Sequence, residues 1–138
     1  MNIFLYGSLM YEVVWSRVVK GRYAAYPSLI RGWRRCCVTG EDYPAAIAGN
    51  GSIEGVVRIG ISPADVTALD RFEGDEYSRV SCTAETLSLE KFDAWFYRFN
   101  DAYYHRLSDR EWNRTEFEQS GLSRFITSYT GFQAIGSW

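Results

Sequence analysis

The sequence predicts a mixed α/β (α+β) fold, a small β-barrel or curled mixed sheet with helices packed outside it. Three observations support this. Strand-like stretches outnumber helical ones, the connections between them are short, and one helix between two strands has a full start signal at Ser62-Pro63-Ala64-Asp65. The length of 138 residues suits one domain spanning residues 1–138, with no linker, repeat or low-complexity segment inside it. With 46% hydrophobic and 17% aromatic residues the chain has ample material for a packed interior, which argues against disorder.

Taken in order, Asn2 to Tyr6 is a short apolar β-type run that stops at Gly7-Ser8. Leu9 to Val19 follows as a short helix, broken at Lys20-Gly21. Tyr23 to Val38 is rich in aromatic and β-branched residues, with breaks at Pro27 and Gly32, and reads as extended. Residues 40–46, GEDYPAA, form a turn leading into a brief strand. The strongest turn signal is GNGS, residues 49–52. Ile53 to Ile61 is then a strand, with Val57, Ile59 and Ile61 on one face.

At the next helix Ser62 is the N-cap, Pro63 takes the first helical position and Asp65 can complete a capping box. That helix runs to about Phe72. Tyr77 to Leu87 and Phe92 to Phe99 are two strands joined by a turn at Ser88 to Lys91. From Asp109 onward the pattern is helical, with Phe117, Gly121, Leu122, Phe125 and Tyr129 on one side and Gly131 as C-cap.

Charge and composition exclude several functions. Fifteen basic and 17 acidic residues give a net charge of −2, so no overall field favours nucleic acid or an anionic membrane. The basic stretch RGWRR, residues 31–35, simply places Arg31, Trp33 and Arg35 on one face of a strand. No segment approaches the roughly 20 apolar residues of a membrane span, and no signal-peptide pattern opens the chain. A cytoplasmic location is expected. Cys36, Cys37 and Cys82 form neither a CxxC motif nor an even framework, and His105 is the single histidine, so no metal or cofactor is expected. A Ser8 nucleophile with His105 lacks any nucleophile-elbow pattern.

The stretch LDRFEGDEYSRV, residues 69–80, holds the main anomaly. At about 100° per residue, Glu73 projects within roughly 40° of Leu69, on the apolar side of its helix, while Thr67 and Arg71 point away. A carboxylate there either pairs with a cation such as Arg79 or is desolvated, which raises its pKa toward the range of general acid–base work. The spacing leaves both open. FLYGSL, residues 4–9, is a second candidate site: a strand meets a Gly-containing turn and a helix start. Such a turn presents successive backbone N–H groups to an anion, and Gly7 lets a ligand approach closely.

YGSL after an N-terminal strand, then YPAA, then GVV before the helix, then LDRFEGDEYSRV together resemble the γ-glutamylcyclotransferase-like family, in particular its AIG2-like, γ-glutamylamine cyclotransferase branch. The resemblance spans about residues 2–82, with a looser match through the C-terminal helix. It implies a small β-barrel with flanking helices and an enzyme that cyclises a small-molecule γ-glutamyl substrate to 5-oxoproline, releasing an amine or amino acid. It further implies that Tyr6, Gly7, Ser8 and Leu9 cradle the γ-glutamyl group and that Glu73 accepts and donates the proton. Tyr77 and Arg79 match the tail of the motif, where Tyr77 would border the substrate. A ligand-binding or regulatory protein on the same fold, without turnover, is the alternative.

Overall fold

Strand β1 (Ile3–Leu5) lies between β3 (Pro44–Arg58), to which it is antiparallel, and β5 (Lys91–Phe99), to which it is parallel. The computed structural model describes residues 1–135; residues 136–138, the end of the span read as one domain, lie outside the described residues. Strand β2 (Ala25–Val38) pairs with β3 along most of its length, and β4 (Tyr77–Thr86) pairs with β5. A short β2–β4 contact closes β1, β5, β4, β2 and β3 into a five-stranded barrel, and β6 (Leu107–Glu111) joins β2 outside the ring.

β1 shows why the barrel has two apolar sides. Its alternate residues Ile3 and Leu5 join the core between barrel and helices, whereas Phe4 and Tyr6 join the barrel interior with Ile30, Ile53, Val57 and Phe96. Against the outer core pack α1 (Glu12–Val18), α2 (Pro63–Glu73) and the C-terminal helices, which contribute Val14, Trp15, Leu69, Phe72 and Phe125. Among the described residues no helix is long and apolar enough to cross a membrane.

Three local expectations are corrected. The β2–β3 turn is at 39–43, where Gly40 takes a φ of 78°. GNGS is no chain reversal. It lies within β3, where Gly49, Asn50 and Gly51 face the single residue Gly32, since Arg31 pairs with Ser52 and Trp33 with Ala48. The glycines thus serve a wide bulge that bends two long strands around the barrel. β3 is accordingly long rather than brief.

The second correction concerns Asp65. Ser62 caps α2 by accepting from the Asp65 N–H at 3.2 Å, but the Asp65 carboxylate does not return the bond. It accepts instead from the N–H groups of Lys20 and Gly21 at 3.0 and 2.9 Å and from the Tyr23 hydroxyl at 2.5 Å. The chain leaving α1 thus supplies donors that a carboxylate satisfies better than the one N–H of a capping box. Tyr23 oxygen takes over that N–H, accepting from Ser62 at 3.2 Å. Burial alone raises the Asp65 pKa; the donors outweigh it and hold the carboxyl below its usual range.

The third correction is at the C-terminus. Asp109 lies in β6, and the helical run starts only after Asn113, whose side chain accepts from the Glu116 N–H at 2.9 Å. The run comprises α3 (Arg114–Glu116), a π-helical turn (Phe117–Gly121) and α4 (Leu122–Ser128). Phe117, Gly121 and Phe125 are buried, as their spacing suggests. Gly131 is not a C-cap. It opens α5 (Gly131–Ala134) where a Cβ would meet the Phe72 carbonyl oxygen at 2.3 Å, so this glycine permits close packing on the end of α2.

Replacing Asp65 with Ala should cost about 2–4 kcal/mol, because it orphans two backbone donors at once. Urea denaturation of Asp65→Ala checks this; a loss below ~1 kcal/mol would show that water satisfies those donors instead.

Candidate functional site

α2 ends in Phe72, which is buried, and Glu73, which turns toward β1; Gly74 then takes a φ of 77° and the chain leaves the helix. Tyr129 reaches the same helix end, its hydroxyl donating to the carbonyls of Phe72 and Glu73 at 2.8 and 3.2 Å. One hydroxyl proton is thus shared between two carbonyls at the end of α2, the shorter bond going to Phe72, and the backbone at Glu73 is anchored to the C-terminal segment.

On the β1 side the chain runs from Tyr6 through Gly7 into one 3-10 turn, Ser8–Met10. A Cβ on Gly7 would lie 2.8 Å from the Pro44 ring, so residue 7 has no room for a side chain. The first N–H groups of such a turn have no carbonyl within it. Among the described residues, the N–H groups of Gly7, Ser8 and Leu9 donate to no side chain and to no loop carbonyl. The Ser8 hydroxyl is likewise without a hydrogen bond there, although Ser8 is buried.

These segments meet. One cavity of about 30 Å³ is lined by Tyr6, Gly7, Ser8, Leu9, Glu73 and Tyr77, together with Phe4, Leu5, Tyr43, Pro44 and Tyr97. All six residues singled out in the sequence are therefore in one place. Tyr43 and Glu73 also border an adjoining cleft of about 350 Å³, whose other walls include Arg71, Glu76, Arg106 and Tyr129. His105 is exposed and lines neither space, so it cannot assist Ser8.

Among the described residues Glu73 has no ion pair. Arg79, the cation that could have held it, is bidentate to Asp70 instead, at 2.7 and 3.1 Å. Nor does any group among the described residues donate a hydrogen bond to the Glu73 carboxylate. The residue is half-buried as a whole, but its carboxyl is crowded by protein atoms like a core group. Burial pushes this carboxyl up to about 8, with the charge of Asp70 adding to the rise.

The tyrosines nearby do not relieve it, because each spends its proton elsewhere. Tyr6 donates to the Tyr97 carbonyl at 2.5 Å, Tyr77 to the Pro44 carbonyl at 2.6 Å, and Tyr97 to Asp70 at 2.8 Å. Tyr43 donates to Glu76 at 2.7 Å, and Glu76 in turn pairs with Arg106. Burial raises the pKa of Tyr6, Tyr77, Tyr97 and Tyr129, so all four hydroxyls stay protonated at neutral pH. Among the described residues no group of three or more His, Cys, Asp or Glu side chains could hold a metal ion.

The family profile described as "Gamma-glutamyl cyclotransferase, AIG2-like" matches residues 3–114. The chain belongs to this family. AIG2-like protein C of Arabidopsis thaliana is 30% identical over 140 residues, a match covering 95% of this chain and 77% of that protein. A second Arabidopsis relative, Protein AIG2 C, is 25% identical over 125 residues, 86% of this chain and 75% of its own length. An Arabidopsis thaliana protein solved in solution superposes with a TM-score of 0.69 at 26% identity, covering 91% of this chain and 85% of that one. A solved gamma-glutamyl cyclotransferase shares the fold at a TM-score of 0.62 and 15% identity, over 72% of this chain and 66% of that one.

Sequence reading missed Tyr43, Pro44, Tyr97 and Tyr129. Pro44 and Tyr43 lie in the quoted YPAA, which was a usable signal for them. Tyr97 sits in β5 with no distinguishing neighbour, and only the sheet register brings it to Glu73.

A raised carboxyl pKa has a definite sign in stability. The neutral folded form of Glu73 stabilises the fold fully below the ordinary value of 4.5, and that contribution is lost as pH rises through about 8. Wild type should therefore lose melting temperature relative to Glu73→Gln across that window, with the two closest at the acid end. Thermal melts of both proteins from pH 4.5 to 9 read this directly. A variant that melts lower than wild type at pH 8 would mean that the carboxylate is stabilised by a partner.

Proposed function

We propose that this chain is a γ-glutamyl cyclotransferase that converts a γ-glutamyl amine or γ-glutamyl amino acid to 5-oxoproline, with Glu73 as its single acid–base group. The observation behind this reading is a desolvated carboxylate without a partner, set against the open N–H groups of the Gly7–Leu9 turn in one cavity.

The chemistry needs little more. The substrate's α-ammonium cannot attack its own γ-carbonyl until a base removes a proton. Ionised Glu73 takes that proton, and the freed amine forms the new C–N bond, leaving an oxyanion on the carbonyl carbon. Protonated Glu73 then gives that proton to the departing nitrogen as the old C–N bond breaks, and the restored carboxylate takes the second proton from the new ring nitrogen and passes it to the freed amine, which leaves as an ammonium. Ring closure is intramolecular, so holding the glutamyl chain folded supplies much of the rate. N–H groups of the turn bind the substrate's α-carboxylate, and Tyr6 and Tyr77 border the glutamyl chain. At about 30 Å³ the cavity holds one water-sized group, so the glutamyl chain enters as the walls separate and the leaving group extends into the 350 Å³ cleft that shares Tyr43 and Glu73.

The size of that cavity is also the one observation favouring the alternative, a protein of this fold that binds a ligand without turnover. Mass-spectrometric detection of 5-oxoproline from a panel of γ-glutamyl compounds decides between them. Release from at least one compound is expected; tight binding with no release across the panel would establish the non-catalytic reading.

Glu73→Gln keeps the shape but removes the base. Turnover should fall by about 10²–10⁴-fold or more, since one group serves two proton transfers. In wild type kcat/KM should rise with pH and level off above about 8, as the free protein's Glu73 ionises. A flat profile between pH 6 and 9 would assign the base to another group.

A further inference from the structure

Arg35 lies outside the cavity yet reaches its turn. Its Nη1 donates to the carbonyl of Tyr6 at 2.9 Å and to the carbonyl of Glu54 at 3.0 Å, joining the end of β1 to β3. The guanidinium lies 5.0 Å from the centre of the Trp112 ring, which backs it with an aromatic face. Among the described residues Arg35 forms no ion pair; carbonyl oxygens and a ring are its partners.

A trans peptide unit points its C=O and N–H in opposite directions. Tyr6 and Gly7 share such a unit: the Tyr6 oxygen is drawn to Arg35, which does not line the cavity, while Tyr6 and Gly7 both do. The Gly7 N–H is thus turned the other way. Glycine tolerates both orientations of the preceding peptide, so Gly7 by itself does not choose between them. We propose that Arg35 is the positioning residue of this turn: it holds the Tyr6 carbonyl away from the cavity, so that the Gly7 N–H faces inward to receive the substrate's α-carboxylate. Released from Arg35, the peptide can rotate and present a carbonyl oxygen to the same anion. The charge of Arg35, only partly offset by the nearby Glu54 carboxylate, adds a positive potential behind the turn.

The kinetic part of this proposal rests on the cyclotransferase reading; the conformational part does not. Arg58 provides a control of similar packing, differing in that it also pairs with Glu12 at 3.3 Å. It also donates to a backbone carbonyl, that of Tyr23 at 3.1 Å, and lies 4.6 Å from the Trp15 ring, but it is not part of the cavity. Arg35→Met, Arg35→Lys and Arg58→Met are compared by melting temperature, by the amide resonance of Gly7, and by KM and kcat for the best γ-glutamyl compound. Arg35→Met is expected to raise KM roughly ten- to a hundredfold, the loss of one charged hydrogen bond, with a much smaller change in kcat. Its Gly7 resonance should shift, and Arg35→Lys should recover part of both effects. Arg58→Met should lose comparable stability and leave KM and the Gly7 resonance as in wild type. A folded Arg35→Met with unchanged KM and unchanged Gly7 resonance overturns the proposal, as does a KM rise shared equally by Arg58→Met. Should Arg35→Met not fold, unchanged KM and Gly7 resonance in Arg35→Lys, together with unchanged values in Arg35→Gln, overturn it equally. If wild type releases no 5-oxoproline, the cyclotransferase reading fails while the Gly7 resonance still tests Arg35.

Discussion

Five tyrosines border Glu73, and every one of their hydroxyl protons is committed to another acceptor. The rest of the site depends on this. One hydroxyl turned toward the carboxylate would stabilise its charge and bring it back toward an ordinary pKa. The fold prevents that by giving each tyrosine a stronger claim elsewhere: strand carbonyls for Tyr6 and Tyr77, carboxylates for Tyr43 and Tyr97, and the α2 C-terminus for Tyr129. Asp70 has a double part in it. By holding Arg79 and the Tyr97 proton, it removes the nearest cation and one donor, and its own charge disfavours ionisation of Glu73.

The barrel makes these commitments compatible. β1 separates two cores through its alternation, so Tyr6 enters the barrel interior while Leu5 and Leu9 join the helices. The turn between them lies at the boundary, where α2 ends. The C-terminal segment then seals that end through Tyr129 and through Gly131, whose missing side chain lets α5 approach the Phe72 carbonyl. The family-wide barrel thereby gains a wall next to Glu73 that the looser C-terminal sequence match did not disclose.

How much could be read from the sequence follows from the range of the interactions. Glu73's inward direction was legible because helical phase is a local property. The Tyr6–Leu9 turn was legible for a similar reason, as a glycine between a strand and a helix start. Partner choice was not: that Arg79 takes Asp70 rather than Glu73 depends on how β4 crosses α2, and no spacing encodes it. GNGS misled because Asn-Gly suits a reversal and a bulge alike, and the deciding residue, Gly32, is seventeen positions earlier, across the ladder. Asp65 misled because its competing donors, Lys20 and Gly21, belong to another helix's exit. Arg35 read as one of three residues on a strand face, and its hold on Tyr6 appears only once β1 and β2 flank β3 on opposite sides.

Titration of Glu73 shows most directly whether it is a desolvated carboxylate kept without a donor. The side-chain carboxyl carbon of Glu73, labelled with carbon-13 and assigned against Glu73→Gln, can be followed by NMR from pH 4 to 10 in the free protein. A midpoint near 8 is expected. A midpoint near the ordinary value of 4.5 would mean that a donor or cation reaches the carboxylate in solution, and the base proposed here would lose its physical basis.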